Sequence, residues 1–250
     1  MKTLYLVTSA INPTSIPFKY LAGDFVPRSV FSAKDRFNQT IYSLSHIRGF
    51  DRDANIVILD CSEDYYNYAV LQRDFENVTF IGVPELSWEV QDIANTSKQK
   101  SYAECSMLKI YMDAFRPYIL EHDYFVKVSG RYTVEGINPL QYQKNRFFFK
   151  IPNPHDTSLD SQLSFVDTRT NKLDSIYSYS TVCYGMDTKL LDKYYQINDN
   201  IISVVTQEQY SHLCSEFLIY YYTRELKNSI IEYDWTVNGF DGVNGGWVRY

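Results

Sequence analysis

Residues Asp123 to Val134 read DYFVKVSGRYTV, an apolar run with a lysine inside it that breaks on a serine, a glycine and an arginine. Arg131 carries a planar fork of N–H donors matched to phosphate oxygens, and Gly130 permits close backbone approach and unusual φ/ψ. Lys127 stands two residues before Ser129, on the same face of a strand, so a second cation can point to the same place. Lys98 and Lys100, in TSKQKSY, add positive charge nearby. The plain alternative is a Lys127 that snorkels from a sheet edge and an Arg131 in a surface ion pair. Proton-transfer candidates lie further on. Glu216, in SEFLIYYYTREL, is a carboxylate at a helix start, and His212 four residues earlier would share a helical face with it. Asp187, after CYGM, can orient a hydroxyl or cap the helix beginning near Lys189. Asp60 and Ser62, closing NIVILDCS, can hydrogen-bond a base or ribose, or simply make a turn. Arg36 can reach a phosphate or solvate its helix.

These residues must be positioned by elements that the periodicity identifies. LYLVTSA (Leu4 to Ala10), NIVILDCS (Asn55 to Ser62) and NVTFIGV (Asn77 to Val83) are apolar, β-branched runs of strand length. AKDRFNQTIYSLSHIRGF (Ala33 to Phe50) repeats Phe37, Ile41, Leu44 and Ile47 at helical spacing; DYYNYAVLQRDF and SYAECSMLKIYMDAF (Ser101 to Phe115) are also helical. The alternation β-α-β-α-β predicts an α/β domain with a mostly parallel central sheet flanked by helices, in which DYFVKVSG is the fourth strand. Ligands of such sheets sit beyond the carboxyl ends of the strands. Those ends are Thr8, Ser9 and Ala10; Asp60, Cys61 and Ser62; Gly82 and Val83; and Ser129, Gly130 and Arg131. No GxGxxG follows the first strand and no GxxxxGK[ST] occurs, which disfavours dinucleotide and P-loop cradles.

Bulk composition narrows the class. A chain of 250 residues with 45% hydrophobic and 22% charged residues can bury a substantial core, and reads as one domain. Its formal charge of −6 argues against a nucleic-acid surface. The 23 Tyr and 15 Phe suit the apolar faces of sugar rings, and equally suit core and subunit packing. No apolar stretch reaches membrane-spanning length, and MKTLYLVTSAINPTS is too strand-like for a signal peptide, so a cytoplasmic protein is expected. Cys61, Cys105, Cys183 and Cys214 are scattered without CxxC spacing, which predicts reduced cysteines and no metal site. The tail NGFDGVNGGWVRY reads as a loop able to fold over a ligand, with Trp247 and Arg249 at its tip, or as a frayed terminus.

The order strand, Arg-containing helix (RFNQTIYSLSHI), strand ending in LDCS, strand, helix and apolar strand resembles a GT-A glycosyltransferase over nearly the whole chain. The resemblance implies a nucleotide-sugar-binding half (residues 1–135) and an acceptor-binding half (136–250). Where that family carries a metal-binding DxD, this chain has Ser129, Gly130 and Arg131, and its KxSGRY form resembles metal-independent transferases of surface-polysaccharide synthesis. STVCYGMDTKLLDKYY resembles the acceptor-side strand, turn and helix, and Glu216 is the nearest match to the family's catalytic carboxylate, with Ser215 where a second acid is common. The implied reaction moves a sugar from a nucleotide-sugar donor, expected to be UDP-linked and with galactose a candidate, to a hydroxyl of a cell-surface glycan. It needs no cofactor and allows peripheral association with membrane-bound polysaccharide assembly. In that setting Thr8, Ser9, Arg36, Asp60, Ser62, Lys100, Lys127, Ser129, Gly130 and Arg131 face the donor, while Glu216, Asp187 and His212 are the catalytic candidates. A nucleotidyl- or phosphotransferase on the same sheet, and a non-catalytic glycan-binding or partner subunit, stay open.

Overall fold

The structure is a computed structural model that describes residues 1–20, 24–62, 68–154, 177–211, 213–241 and 245–249. In chain order, its first half comprises β1 (Thr3–Ser9), the antiparallel pair β2 (Phe18–Tyr20) and β3 (Asp24–Val26), α1 (Ala33–Phe50), β4 (Asn55–Asp60), α2 (Ala69–Asp74), β5 (Val78–Gly82), α3 (Val83–Leu86), α4 (Trp88–Thr96), α5 (Lys100–Leu120) and β6 (Tyr124–Ser129). The second half adds β7 (Tyr132–Glu135), β8 (Phe147–Lys150), β9 (Asn153–Pro154), β10 (Tyr177–Ser178), β11 (Cys183–Asp187), α6 (Leu191–Val205), α7 (Ser215–Thr223), β12 (Ile230–Tyr233), β13 (Thr236–Phe240) and β14 (Trp247–Arg249).

Seven strands form the central sheet in the order β12-β8-β11-β6-β1-β4-β5. The pairings β6-β1, β1-β4, β4-β5 and β12-β8 are parallel, and β11 runs antiparallel to both neighbours. From β1 the chain steps outward through β4 to β5, then returns to place β6 on the other flank of β1. That reversal makes the β1-β6 boundary the topological switch point, the place where open α/β sheets form their ligand crevice beyond the strand ends. Thr8 pairs with Ser129 across it, and the Gly130 N–H donates to the Thr8 carbonyl at 2.9 Å.

Alternation within each strand fills two layers. Leu4, Leu6, Val57, Leu59, Phe125, Phe147, Phe149 and Met186 point to the side covered by α4, α5, α6 and α7. Tyr5, Val7, Ile56, Ile58, Val126, Val128 and Phe148 point to the other, where α1 packs beside the small sheet β14-β13-β7. The edge of β7 is satisfied from α1: the Ser43 hydroxyl donates to the Tyr132 carbonyl at 2.9 Å, and His46 Nε2 lies 3.1 Å from the Val134 carbonyl. Helix α1 starts on a capping box, with Ser32 and Asp35 satisfying one another's backbone N–H groups, and spans the predicted residues. Helix α5 outruns its predicted end by five residues and kinks at Phe115 (φ −119°, ψ 19°), two residues before Pro117, which offers no N–H and crowds the preceding turn. Among the described residues no helix is long and apolar enough to cross a membrane.

Two expectations are revised. The glycine-rich tail adds a strand rather than a covering loop: Trp247 and Arg249 belong to β14, paired to β13. Gly130 does not adopt a positive φ. A Cβ there would stand 3.2 Å from Val7 Cγ1 and 3.3 Å from the Thr8 carbonyl, so the glycine serves close packing of β6 on β1.

The tightest glycine in the sheet is Gly185, opposite Phe148, where a Cβ would fall 2.3 Å from Phe148 Cε2 and 2.8 Å from the Phe125 carbonyl. Gly185→Ala should therefore overpack the sheet and cost about 1–3 kcal/mol or more. A urea titration checks this; an unchanged midpoint would contradict the packing.

Candidate active site

At the switch point, the carboxyl ends of β1 and β6 meet the amino end of antiparallel β11 and the first turns of α5 and α7. Lys127 lies on the same strand face as Phe125, under α5, and is fully buried. Its ammonium donates to Ser129 Oγ at 2.9 Å and to the Thr181 carbonyl at 2.5 Å, and it pairs with Glu104 of α5. The three N–H groups are thereby committed inside the protein, and Tyr184 presents its ring at 5.8 Å. The phosphate contact expected of Lys127 is not what this geometry provides. Its chemistry is structural: an ammonium removed from water persists only when paired and hydrogen-bonded.

Glu104 was not singled out by the sequence reading, yet it is the carboxylate of this cluster. Burial would push its carboxyl up, but the Lys127 ammonium, Lys100 and Arg131 outweigh burial and hold it below the usual carboxylate range. Ser101 and Glu104, one turn apart on the buried side of α5, could have been flagged: two polar residues on the face continued by Leu108 and Tyr111 need internal partners. Ser101 has one, since its Oγ accepts the Ser215 N–H at 2.9 Å at the start of α7.

Glu216 is half-buried in the first turn of α7, where the helix N-terminus favours a carboxylate. Thr181 Oγ1 donates to its Oε1 at 2.8 Å and Ser215 Oγ to its Oε2 at 3.2 Å. The residue whose carbonyl holds Lys127 thus also orients Glu216, so Ser129, Lys127, Thr181 and Glu216 form one connected chain. Burial and the neighbouring Glu216 carboxylate push the Cys214 thiol up to about 12, which keeps it protonated.

Arg131 behaves differently from Lys127. It follows Gly130 in the turn from β6 to β7, lies 5.4 Å over its neighbouring Tyr132 ring, and has no hydrogen bond or ion pair among the described residues. Close by is Arg36, almost fully buried, whose Nε and Nη2 donate to the Ala10 carbonyl at 3.0 and 2.7 Å. Burial, and then the charge of Arg131, lower the Arg36 pKa to about 9; Cys61 and Asp60 offset only part of this. An anion beside the two guanidinium groups would offset the charge that Arg131 sets against Arg36.

The remaining candidates separate. Asp60 accepts from the Ile11 N–H at 3.1 Å and the Ser62 N–H at 2.8 Å, and Ser62 Oγ accepts the Asn12 N–H at 2.9 Å. Both therefore fasten the loop after β1. Ser9 accepts the Cys61 N–H at 3.0 Å, as Thr8 accepts that of Gly130. Lys98 lies 5.7 Å over the Phe25 ring, and Lys100 is exposed at the start of α5. Asp187 is corrected as a catalytic candidate. It pairs with Tyr124 at the opposite end of the sheet, about 17 Å along β6 from Ser129. There it accepts from the Lys189 N–H at 2.9 Å and the Asn145 N–H at 2.6 Å, which is a capping role. His212 lies outside the described residues. Among the described residues no three His, Cys, Asp or Glu side chains converge in a way that could hold a metal ion.

No protein-family model matches the chain, and no curated protein matches it by sequence. Among solved structures, mouse xyloside xylosyltransferase 1 in its apo form is similar, at 9% sequence identity and a TM-score of 0.49, over 93% of this chain and 84% of that one.

Glu104→Gln should strip Lys127 of its counter-charge and cost about 3–5 kcal/mol at neutral pH. A carboxyl held low in the folded state contributes stability that is fully present above its unfolded pKa of 4.5 and fades as pH falls through the folded value. The gap between variant and wild type should therefore narrow in acid. Chemical denaturation at several pH values reads it, and a gap constant down to strongly acidic pH would show that the pair contributes no such linkage.

Proposed function

We propose that this protein is a glycosyltransferase of GT-A type that moves a sugar from a nucleotide-sugar donor to a hydroxyl of a cell-surface glycan without a DxD-bound metal. The observation that carries the reading is the Arg131 guanidinium, without a hydrogen bond or ion pair among the described residues, beside buried Arg36 at the switch point, on a strand end with no carboxylate. A departing nucleoside diphosphate gathers negative charge on phosphate oxygen, and fixed cations can stabilise it where another site would use a metal. In this mechanism Arg131 meets the diphosphate through its fork of donors, and Arg36 adds field from within the protein. Glu216, held through both oxygens by Thr181 and Ser215, takes the acceptor proton as the glycosidic C–O bond forms. Lys127 and Glu104 act as positioning residues, because they fix the Thr181 carbonyl and with it the hydroxyl that orients Glu216. A UDP-linked sugar, galactose among the candidates, is the donor to try first, and the cytoplasm is the proposed compartment.

Release of nucleoside diphosphate from a panel of nucleotide sugars, with and without glycan acceptors, tests the reading. Turnover should persist in excess EDTA and rise little with manganese. Activity abolished by chelator and restored by the metal would overturn the cation-only mechanism.

Arg131→Ala should weaken nucleotide binding by about 1.5–3 kcal/mol with the melting curve unchanged, while Glu216→Gln should spare donor affinity and lower kcat by about 10²–10⁴-fold. Calorimetric titration with UDP and initial-rate kinetics separate the two roles. Full kcat in Glu216→Gln would exclude it as the base.

A further inference from the structure

Two groups at the switch point keep hydrogen-bonding capacity that no described residue uses. Ser129 Oγ accepts from the Lys127 ammonium at 2.9 Å, and the Ser129 N–H goes to the Val182 carbonyl at 2.8 Å. The hydroxyl also has a proton to give. Lys127 cannot take it, since an ammonium has no lone pair, and no other acceptor for it stands among the described residues. Ser129 is half-buried at the last position of β6, so its proton is available to a ligand beyond the strand end. Glu104 is the counterpart. A carboxylate can accept about four hydrogen bonds, and Lys127 is the one ion-pair partner Glu104 has among the described residues. The Glu104 side chain is 15% exposed, whereas that of Lys127 is at 0%. Ser129 Oγ and Glu104 Oε1 are bound to the same nitrogen, so they stand within about 6 Å of one another, a spacing that one or two hydroxyls can bridge.

Neighbouring groups show what belongs there. Burial pushes the Glu104 carboxyl up, and Arg131, two residues beyond Ser129, is one of the cations that with Lys127 and Lys100 hold it down. On the other side is Glu216. Thr181 gives its carbonyl to Lys127 and its hydroxyl to Glu216, and burial, then the Glu104 and Glu216 carboxylates, push the Cys105 thiol up. In the transfer proposed above, Arg131 holds the departing diphosphate and Glu216 takes a proton from the glycan hydroxyl. The sugar in transit must lie between them, because its anomeric carbon is bonded to the first group and attacked by the second. That interval is spanned by Ser129, Lys127, Thr181 and Glu216, with Glu104 against its middle. A hydrogen-bond donor beside an acceptor is the complement of sugar hydroxyls, which both accept and donate. A phosphate or a sugar carboxylate instead brings negative charge against Glu104 and no proton for it to accept.

We infer that Ser129 and Glu104 bind hydroxyls of the sugar being transferred, Ser129 donating and Glu104 accepting, and that they select neutral sugars over hexuronates. The inference rests on the transferase reading and specifies its donor. Its probes are UDP, the neutral UDP-hexose turned over fastest with UDP-galactose tried first, the monodeoxy analogues of that hexose donor, and the matching UDP-hexuronate. Ser129→Ala removes one hydroxyl and keeps the Lys127–Glu104 pair, and a melting curve establishes that it is folded. It should bind UDP like wild type in a calorimetric titration and lose about five- to tenfold in kcat/KM with the hexose donor. With the monodeoxy analogue that lacks the hydroxyl held by Ser129, the loss should vanish. Wild type should use the hexuronate about tenfold or more less well than the hexose, and Glu104→Gln, assayed where its melting curve shows it folded, should narrow that gap. The inference alone is overturned, with the transferase reading left standing, by an unchanged kcat/KM in Ser129→Ala, by an equal loss of UDP affinity, by the same penalty with every deoxy analogue, or by a hexuronate used as well as the hexose. A wild-type protein that neither binds nor turns over any nucleotide sugar overturns the transferase reading and the inference with it.

Discussion

The burial of one ammonium organises this site. Lys127 sits at zero exposure in the middle of β6, and its charge is tolerable only because Glu104, Thr181 and Ser129 all reach it. Each of those partners belongs to a different segment: the first turns of α5, the lead into β11 and the end of β6. The requirement to satisfy one charge therefore fixes the three segments relative to one another. Because Thr181 also donates to Glu216, the start of α7 is drawn into the same arrangement. The crevice is consequently walled by elements whose mutual position is chemically specified, while Arg131 is left free to meet a ligand.

This division between an enclosed cation and a free one has an electrostatic logic. Lys127 is neutralised locally by Glu104, so it contributes little field to the crevice. Among the described residues Arg36 lacks a paired carboxylate at hydrogen-bonding distance, its donors going to the Ala10 carbonyl, and with Arg131 it leaves the β1-β6 end of the crevice positive in a chain whose formal charge is −6. A focused positive spot on an acidic protein admits a small anion and discourages an extended polyanion.

Much of the fold is legible in the sequence because the deciding signals are local. The apolar spacing in AKDRFNQTIYSLSHIRGF, closed by Ser32 and Asp35 in front, defines α1 from within its own residues. The shared face of Lys127 and Ser129 also follows from the two-residue period, and the structure joins them by a hydrogen bond. Other features depend on distant partners. Nothing local in KVSG tells that Glu104 covers Lys127, and an unpaired lysine at a strand end reads equally well as a ligand contact. The period of CYGMD fits a strand of either direction; only its antiparallel seating beside β6 carries Asp187 to the far end. A glycine signals conformational freedom and close packing alike, and at Gly130 the neighbours Val7 and Thr8 decide for packing. The glycine-rich tail conceals a three-residue strand that exists because β13 offers an edge.

The Lys127 arrangement also bears on how the chain reaches its native state. Residues 104, 127 and 181 are far apart in sequence, and none of the three local segments can stabilise a dry ammonium by itself. Collapse of the apolar strand β6 against β1 before α5 and the approach to β11 have docked would strand a charge in hydrocarbon. Water must therefore remain at that position until the non-local contacts close, which ties the final desolvation of the sheet to the assembly of the crevice. A chain with an incomplete crevice is then also one with an incompletely closed core, so quality control that senses exposed core would remove molecules with an unassembled crevice as well as unfolded ones.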